Sequence, residues 1–339
     1  MSGAMPFAVV VGGVIERLLA QQQQPVMDLI ARAYQLHGQG ESINPDSYFL
    51  RFAQKPDARI IALPAYLGGE VDTAGLKWIA SFPGNVQQNL QRASAVLILN
   101  DYATGYPKAL LESSVISAHR TAASAALGAR ALSGGSDRVR KIAIVGAGVI
   151  ARQTLDYLFA DGWSADEFAI HDLREQDARR LGDWIGAQGK GKTRVASDAE
   201  DCCAGAQLIV LATTAAAPYL TCHELFAHAP TVLNLSLRDI HPDLILDAQN
   251  VLDDIDHCLK ANTSVHLAEM QTGSRSFVAG TLHDVLSQRL APDPARARIF
   301  SPFGLGVLDI ALGDFVLKRA RASGQQLEID NFFASTARW

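Results

Sequence analysis

The stretch that most constrains this chain lies near its middle. Lys141–Ala151 reads KIAIVGAGVIA, an apolar strand-like run that turns on two glycines and continues into helical text. Gly146 permits the tight turn, Gly148 lets backbone come close to a ligand, and Ala151 lets the new helix lie against the strand. A helix that starts this way offers unpaired N–H groups and its positive dipole end to phosphates. The pattern predicts a β-strand, a dinucleotide-binding turn and a helix.

Glycine spacing alone is weak evidence, but a second signal follows at the right interval. The next strand ends in AIHD, which puts Asp172 about 25 residues further on. An acid there accepts the adenosine ribose hydroxyls and repels a 2′-phosphate, so the expected cofactor is NAD rather than NADP. Arg174, two residues later, is the side chain that could instead hold a 2′-phosphate. Thr213 and Thr214 close another strand, where hydroxyls face the cofactor crevice of such a sheet. Each reads equally well as an ordinary turn residue.

The surroundings are organised to match. Strand candidates at Lys141–Val145, Glu167–His171, Leu208–Ala212, Val232–Leu235 and Asn250–Asp253 are mostly separated by helical text, as in a parallel doubly wound sheet. Before them, Val26, Ile30, Ala33, Tyr34 and His37 form one helical stripe. Tyr48–Phe52, Ile60–Pro64, Leu76–Ala80, Ala95–Asn100 and Pro107–Leu111 then read as antiparallel strands. Leu110–Leu132, rich in Ala and Ser, reads as a long connecting helix whose small residues permit close packing. Near the end, a Gly-rich turn precedes a helix over Val307–Ala322, with Gly324 as its stop. The expected fold is α/β: a Rossmann doubly wound parallel sheet, plus an α+β domain for substrate binding and dimerisation. Residues 1–122 begin the substrate domain, 123–298 form the NAD-binding domain, and 299–339 return to the substrate domain.

With 339 residues, two domains are expected. The net charge of −5 and the lack of a basic stripe argue against nucleic acid. No apolar run is long enough to span a membrane. Phe7–Val11 is too short for a signal-peptide core and reads as a strand, so the cytoplasm is the expected location. Cys202, Cys203, Cys222 and Cys258 form no C-x-x-C pair, and Cys222 beside His223 lacks a second ligand pair at metal spacing, so no metal is expected. Short strands in the outer domain leave edges that need covering, which points to a homodimer.

Several stretches resemble the ornithine cyclodeaminase/μ-crystallin family over nearly the whole chain. They are Gly75–Trp78 (GLKW), His119–Ala123 (HRTAA), the Gly146 motif, Leu237–Asp239 (LRD), and the GLG…LD text ending at Asp309. Within the family, Arg59–Gly69, Arg92–Asp101 and Asp239–His241 are most similar to the branch that makes 2,3-diaminopropionate for siderophores. The resemblance implies NAD-dependent oxidation of N-(2-amino-2-carboxyethyl)-L-glutamate, giving 2,3-diaminopropionate, 2-oxoglutarate and NADH; an ornithine cyclodeaminase, an imine reductase or alanine-dehydrogenase-like enzyme, and a non-catalytic μ-crystallin-like ligand-binding protein are the alternatives. It also implies a homodimer with outer-domain strands pairing across subunits. Within this frame Thr121, Val149, Ile150, Leu173 and Ser236 join Gly146, Gly148, Asp172, Thr213 and Thr214 as expected cofactor contacts.

The family's carboxylate-binding positions correspond to Arg51, Lys77 and Arg120. A substrate with three carboxylates requires fixed cations, preferably forked guanidinium groups. Lys77 sits in an apolar strand, where a charge is costly unless used. Arg120 interrupts an Ala-rich helix. Arg51 reads equally as a solvated strand-edge charge. Arg59 stands where a cyclodeaminase is expected to carry an acid for ornithine's amino group, and it suits an extra carboxylate; a solvated charge after Asp57 is the competing reading. Asp239 and Lys77 are the expected catalytic residues, with Asp239 taking a proton from the substrate amine and positioning water. Asp239 could instead pair with Arg238 or cap the helix after Pro242. His241 could assist carboxylate binding or merely form a turn.

Overall fold

The structure is a computed structural model, and it describes residues 5–334. The chain divides into two compact units, Met1–Arg120 with Leu305–Trp339, and Thr121–Gly304. The helix Ser114–Leu132 runs through the first division point.

The first unit is built on one eight-stranded sheet. Leu327–Glu328, Ala8–Val10, Pro107–Glu112, Ala93–Asp101, Thr73–Ser81, Lys55–Leu67 and Ser42–Ile43 lie side by side, and Tyr48–Phe52 also pairs with Lys55–Leu67. All these pairings are antiparallel except that of Ala8–Val10 with Pro107–Glu112. The strands alternate as half-covered strands should. Leu63, Ala65 and Leu67, Ala95, Leu97 and Leu99, and Ala109 and Leu111 are buried, while Ala62, Pro64, Val96, Ile98 and Leu110 between them are only partly covered.

The helix Gly306–Ala322 covers the buried face and is itself almost wholly buried. Glycine makes the contact possible. A Cβ on Gly75 would lie 2.3 Å from the Ile98 carbonyl oxygen and 2.7 Å from Ile310 Cδ1. On the helix, a Cβ on Gly313 would lie 2.2 Å from Leu97 Cδ2. The helix ends as its sequence predicts, with Gly324 at φ +64°. In the helix Gln23–Gly38, Val26, Ile30, Ala33 and Tyr34 are buried as the stripe predicts, whereas His37 is half-buried and hydrogen-bonds Ser42.

The second unit carries a wholly parallel eight-stranded sheet. Its order is Lys192–Val195, Ser164–His171, Arg138–Val145, Leu208–Leu211, Thr231–Asn234, Arg298–Ser301, Gln249–Leu252 and Val278–Thr281. The order reverses beside Arg138–Val145, which is where such sheets bind ligands. Arg298–Ser301 is inserted between two earlier strands, so residues 299–304 stay with this unit rather than with the C-terminal return expected from the sequence. The small residues of Ser114–Leu132 are used here: Ala122, Ala123, Ala125, Ala126 and Ala129 are buried, and a Cβ on Gly128 would lie 2.4 Å from Phe300 Cδ1. Among the described residues no helix is long and apolar enough to cross a membrane.

Gly75 and Gly313 differ in what a methyl group would strike. At Gly75 the obstacle is backbone; at Gly313 it is the free end of a leucine. Gly75→Ala should therefore cost about 1–3 kcal/mol of overpacking energy, and Gly313→Ala distinctly less. Urea melts of the two variants check this, and equal losses would refute the close-packing account.

Candidate active site

In the parallel-sheet unit the strand Arg138–Val145 delivers Gly146 at φ +90°, with its α-carbon pressed against the chain at Ala212. A Cβ there would lie 2.5 Å from the Ala212 carbonyl oxygen, so only glycine fits. The helix Val149–Ala160 then begins at Gly148 with no side-chain cap and no acid in its first turn. Its leading N–H groups and dipole are left for an anion, and the open backbone at Gly148 has nothing within 4 Å of a would-be Cβ. These features fit a dinucleotide pyrophosphate.

Asp172 follows the strand Ser164–His171. Its carboxylate accepts from the Ala147 amide at 2.7 Å and the Arg174 amide at 2.8 Å. These bonds hold the acid against the glycine turn. The Arg174 side chain is drawn to Asp177 at 3.2 Å, on the helix that follows. Val149 is 53% exposed and Leu173 97% exposed, unusual for aliphatic side chains and suited to an adenosine lying over them. Ile150 is half-buried and Thr214 exposed, while Thr121 is half-buried on its helix.

Asp239 is fully buried. Its Oδ1 accepts from Thr213 Oγ1 at 2.5 Å and from the Tyr219 hydroxyl at 2.8 Å, and its Oδ2 accepts from Ser236 Oγ. Neither local alternative holds: Arg238 donates to the Ala261 carbonyl, and His241 caps the helix Pro242–Asp247 and lies 3.3 Å from Asp243. Thr213 and Ser236 are half-buried and Tyr219 is exposed, whereas Asp239 has no exposed surface. Burial and the Asp239 charge push the Tyr219 phenol well up, so it stays a donor. Sequence reasoning missed Tyr219, whose only local signal is its position six residues after Thr213.

A second buried acid, Asp253, directly follows the strand Gln249–Leu252. Burial raises its pKa, while the amides of Asp254, Phe303 and Gly304 and the Cys258 thiol donate to it. It ties the turn after Arg298–Ser301 to the sheet. Cys202, Cys203 and Cys258 are buried, and Cys222 donates to Glu224. Among the described residues no three His, Cys, Asp or Glu side chains group as a metal site.

The antiparallel unit gathers cations. Lys77, 2% exposed, donates to Asp309 Oδ2 at 2.6 Å, and Arg120 reaches Asp309 Oδ1 at 3.4 Å. Both also contact Ser117 Oγ at 3.4 Å. One buried carboxylate thus serves two buried cations. Burial, then the Arg120 charge, lowers the Lys77 pKa to about 8, against the opposing pull of Asp309. Asp309 was legible only as matching text near the C-terminus; no spacing rule joins it to Lys77, 232 residues away.

Arg51 and Arg59 are direct cross-strand partners, and Arg59 is opposite Ser81. Arg51 lies over the Phe49 ring at 5.0 Å. Burial, then Arg51, lowers the Arg59 pKa. Neither arginine has a carboxylate within 4 Å among the described residues, so Asp57 does not neutralise Arg59.

The family model described as ornithine cyclodeaminase/mu-crystallin matches residues 12–324. N-((2S)-2-amino-2-carboxyethyl)-L-glutamate dehydrogenase of Staphylococcus aureus is 26% identical over 321 residues, covering 91% of this chain and 93% of the relative. The Thermococcus litoralis Δ1-pyrroline-2-carboxylate reductase, solved with NADH and L-proline, is 17% identical with a TM-score of 0.87, covering 95% of this chain and all of that one. An archaeal alanine dehydrogenase dimer with bound NAD is 22% identical with a TM-score of 0.84, covering 97% of this chain and 100% of the other. The two solved structures establish the same fold. With the glycine turn, the Lys77 and Arg120 stretches and Asp239 all inside the matched range, the chain belongs to the ornithine cyclodeaminase/mu-crystallin family.

Proposed function

We propose that the chain is an NAD-dependent dehydrogenase that converts N-(2-amino-2-carboxyethyl)-L-glutamate and water to 2,3-diaminopropionate and 2-oxoglutarate, feeding siderophore or related natural-product synthesis. The observation that carries the reading is charge imbalance. Lys77 and Arg120 share a single carboxylate, and Arg51 faces Arg59 with no acid between them. Unpaired cations in a partly dry site are costly unless an anionic ligand completes them. A tricarboxylate does so; ornithine, with one carboxylate and a cationic tail, does not. The likeness to the Staphylococcus aureus dehydrogenase agrees in substrate class.

NAD is the cofactor in this reading, held by Gly146, Gly148, Val149, Ile150, Asp172, Leu173, Thr121, Thr213, Thr214 and Ser236. When bound it accepts the hydride from the glutamate Cα. The protein supplies charge and proton handling. Lys77, Arg120, Arg51 and Arg59 hold the carboxylates, and His241 assists in this. The proton released as the amine becomes an imine passes to a hydroxyl of the Thr213, Tyr219 and Ser236 group, whose own proton passes to Asp239. The same relay run in reverse orients water onto the imine carbon and protonates the departing amine. Asp239 is thus the catalytic acceptor, reached through hydroxyls.

The apolar, partly open face of the antiparallel sheet serves assembly. Tyr48, 66% exposed, and Trp78, 40% exposed, lie in register across Ala62. Leu50, 45% exposed, lies two residues along. A second copy covers this face to make a homodimer.

Four outcomes are expected. NADH should bind at least about tenfold more tightly than NADPH, because Asp172 opposes a 2′-phosphate and Arg174 is turned to Asp177; fluorescence titration giving the opposite order would make Arg174 the determinant. Light scattering should give a dimer at micromolar concentration and Trp78→Asp should weaken it; a monomer in both cases removes the assembly proposal. In turnover, NADH and 2-oxoglutarate should appear in equal amounts from the tricarboxylate, with little proline from ornithine. Asp239→Asn should cut kcat about 100-fold or more with KM little changed, since it removes the proton acceptor. Full turnover by that variant would refute the relay. Substantial proline formation would replace the reading with a cyclodeaminase.

A further inference from the structure

A third arginine joins the unpaired pair; the sequence marks it only as the first residue of the Arg92–Asp101 stretch and gives it no role. Arg92 immediately precedes the strand Ala93–Asp101, whose first residue is opposite Ser81. Its Nη1 donates to Ser81 Oγ at 2.7 Å, and its carbonyl accepts from the Phe82 amide at 2.9 Å. Ser81 is itself buried and opposite Arg59, which is opposite Arg51. Three guanidinium groups are thus drawn to one end of the sheet. None has a carboxylate within 4 Å among the described residues. Like charges on directly opposite strand positions are destabilising, and fixing a third one there with a buried hydroxyl adds to the cost. Burial, then Arg59, lowers the Arg92 pKa, the expected mark of that crowding.

We propose that Arg92, held by Ser81 beside Arg59 and Arg51, forms a second anion subsite that binds the distal carboxylate of an elongated dicarboxylate or tricarboxylate substrate. This rests on the reading of the unit as a carboxylate-binding one and names the part of it that selects the substrate. Lys77 and Ser81 lie on the same face of Thr73–Ser81, four residues apart, a separation of about 13 Å along the strand. The Lys77–Arg120 pair takes one carboxylate, and the arginine cluster takes another across that span. Lysine and arginine are long enough to close much of the gap, which leaves a distance suited to carboxylates at the two ends of a glutamate skeleton. A compact monocarboxylate such as alanine reaches only one cluster. Forked guanidinium groups favour the planar carboxylate over a diffuse charge.

The test uses the full chain saturated with NADH and compares 2-oxoglutarate with 2-oxopentanoate, which has the same chain length and no distal carboxylate. Calorimetry should give wild-type protein a clear preference for 2-oxoglutarate. Arg92→Gln should weaken 2-oxoglutarate binding about tenfold to 100-fold and leave 2-oxopentanoate unchanged. Arg92→Lys should fall between, keeping the charge and losing the fork. Ser81→Ala, which removes only the hydroxyl that holds Arg92, should produce a smaller loss of the same selectivity and guards against a folding defect in the arginine variants. Equal weakening of both ligands, or no weakening of either, would overturn the subsite. Preserved 2-oxoglutarate selectivity in a wild-type enzyme that gives no NADH from the tricarboxylate would support the subsite and refute the reaction proposed above.

Discussion

Asp309 is the interaction on which the antiparallel unit depends. A carboxylate with no exposed surface is held between a lysine and an arginine that are nearly as buried. Removing such charges from water costs several kcal/mol per ion, and one anion cannot repay two cations. The unit tolerates this because Gly306–Ala322 lies close enough on the sheet for Asp309 to reach Lys77 Nζ at 2.6 Å. Gly75 on the strand and Gly313 on the helix make that approach possible. Backbone packing and charge placement are therefore one device: a methyl group on Gly75 would press on the Ile98 carbonyl and on Ile310 of the helix that carries Asp309.

The parallel-sheet unit handles a buried acid differently. Asp239 meets three hydroxyl donors and no cation within 4 Å among the described residues, so its charge is spread over hydrogen bonds. Asp253 is treated as a structural acid, anchored by backbone amides rather than by hydroxyls. Two buried aspartates in one sheet are thus distinguished by what donates to them: mobile hydroxyl protons at Asp239, fixed amides at Asp253.

How much of this was legible depended on how local each feature is. The glycine turn, Asp172 and the strand ahead of them were readable because the physics is contained in a few consecutive residues. The amphipathic stripe of Gln23–Gly38 was readable for the same reason. The position of Arg298–Ser301 was not, because its burial comes from Thr231–Asn234 on one side and Gln249–Leu252 on the other. Lys192–Val195 is a half-exposed edge strand rich in charge and offered no apolar run. Tyr219 was missed, and Asp309 and Arg92 were legible only as the ends of matching text, because each takes its meaning from a partner on another element: Asp239, Lys77 and Ser81 respectively. The resemblance supplied the identities of Lys77 and Arg120, and only the fold shows that they share one acid.

The separation of roles explains how one fold can serve several amino-acid reactions. A glycine turn, a ribose acid and a set of hydroxyls are indifferent to what the substrate carries far from its reacting carbon. Under the proposed function, discrimination falls to the cations and acids of the antiparallel sheet, where adding or removing one charge changes which ligand balances the site. Reversing the sign of Arg59 would pair Arg51 and Arg92 internally and leave a place for an amino group. In the proposed reading the arginine at position 59 does the opposite: it raises the cost of the empty site, and a ligand with a carboxylate at its far end recovers that cost.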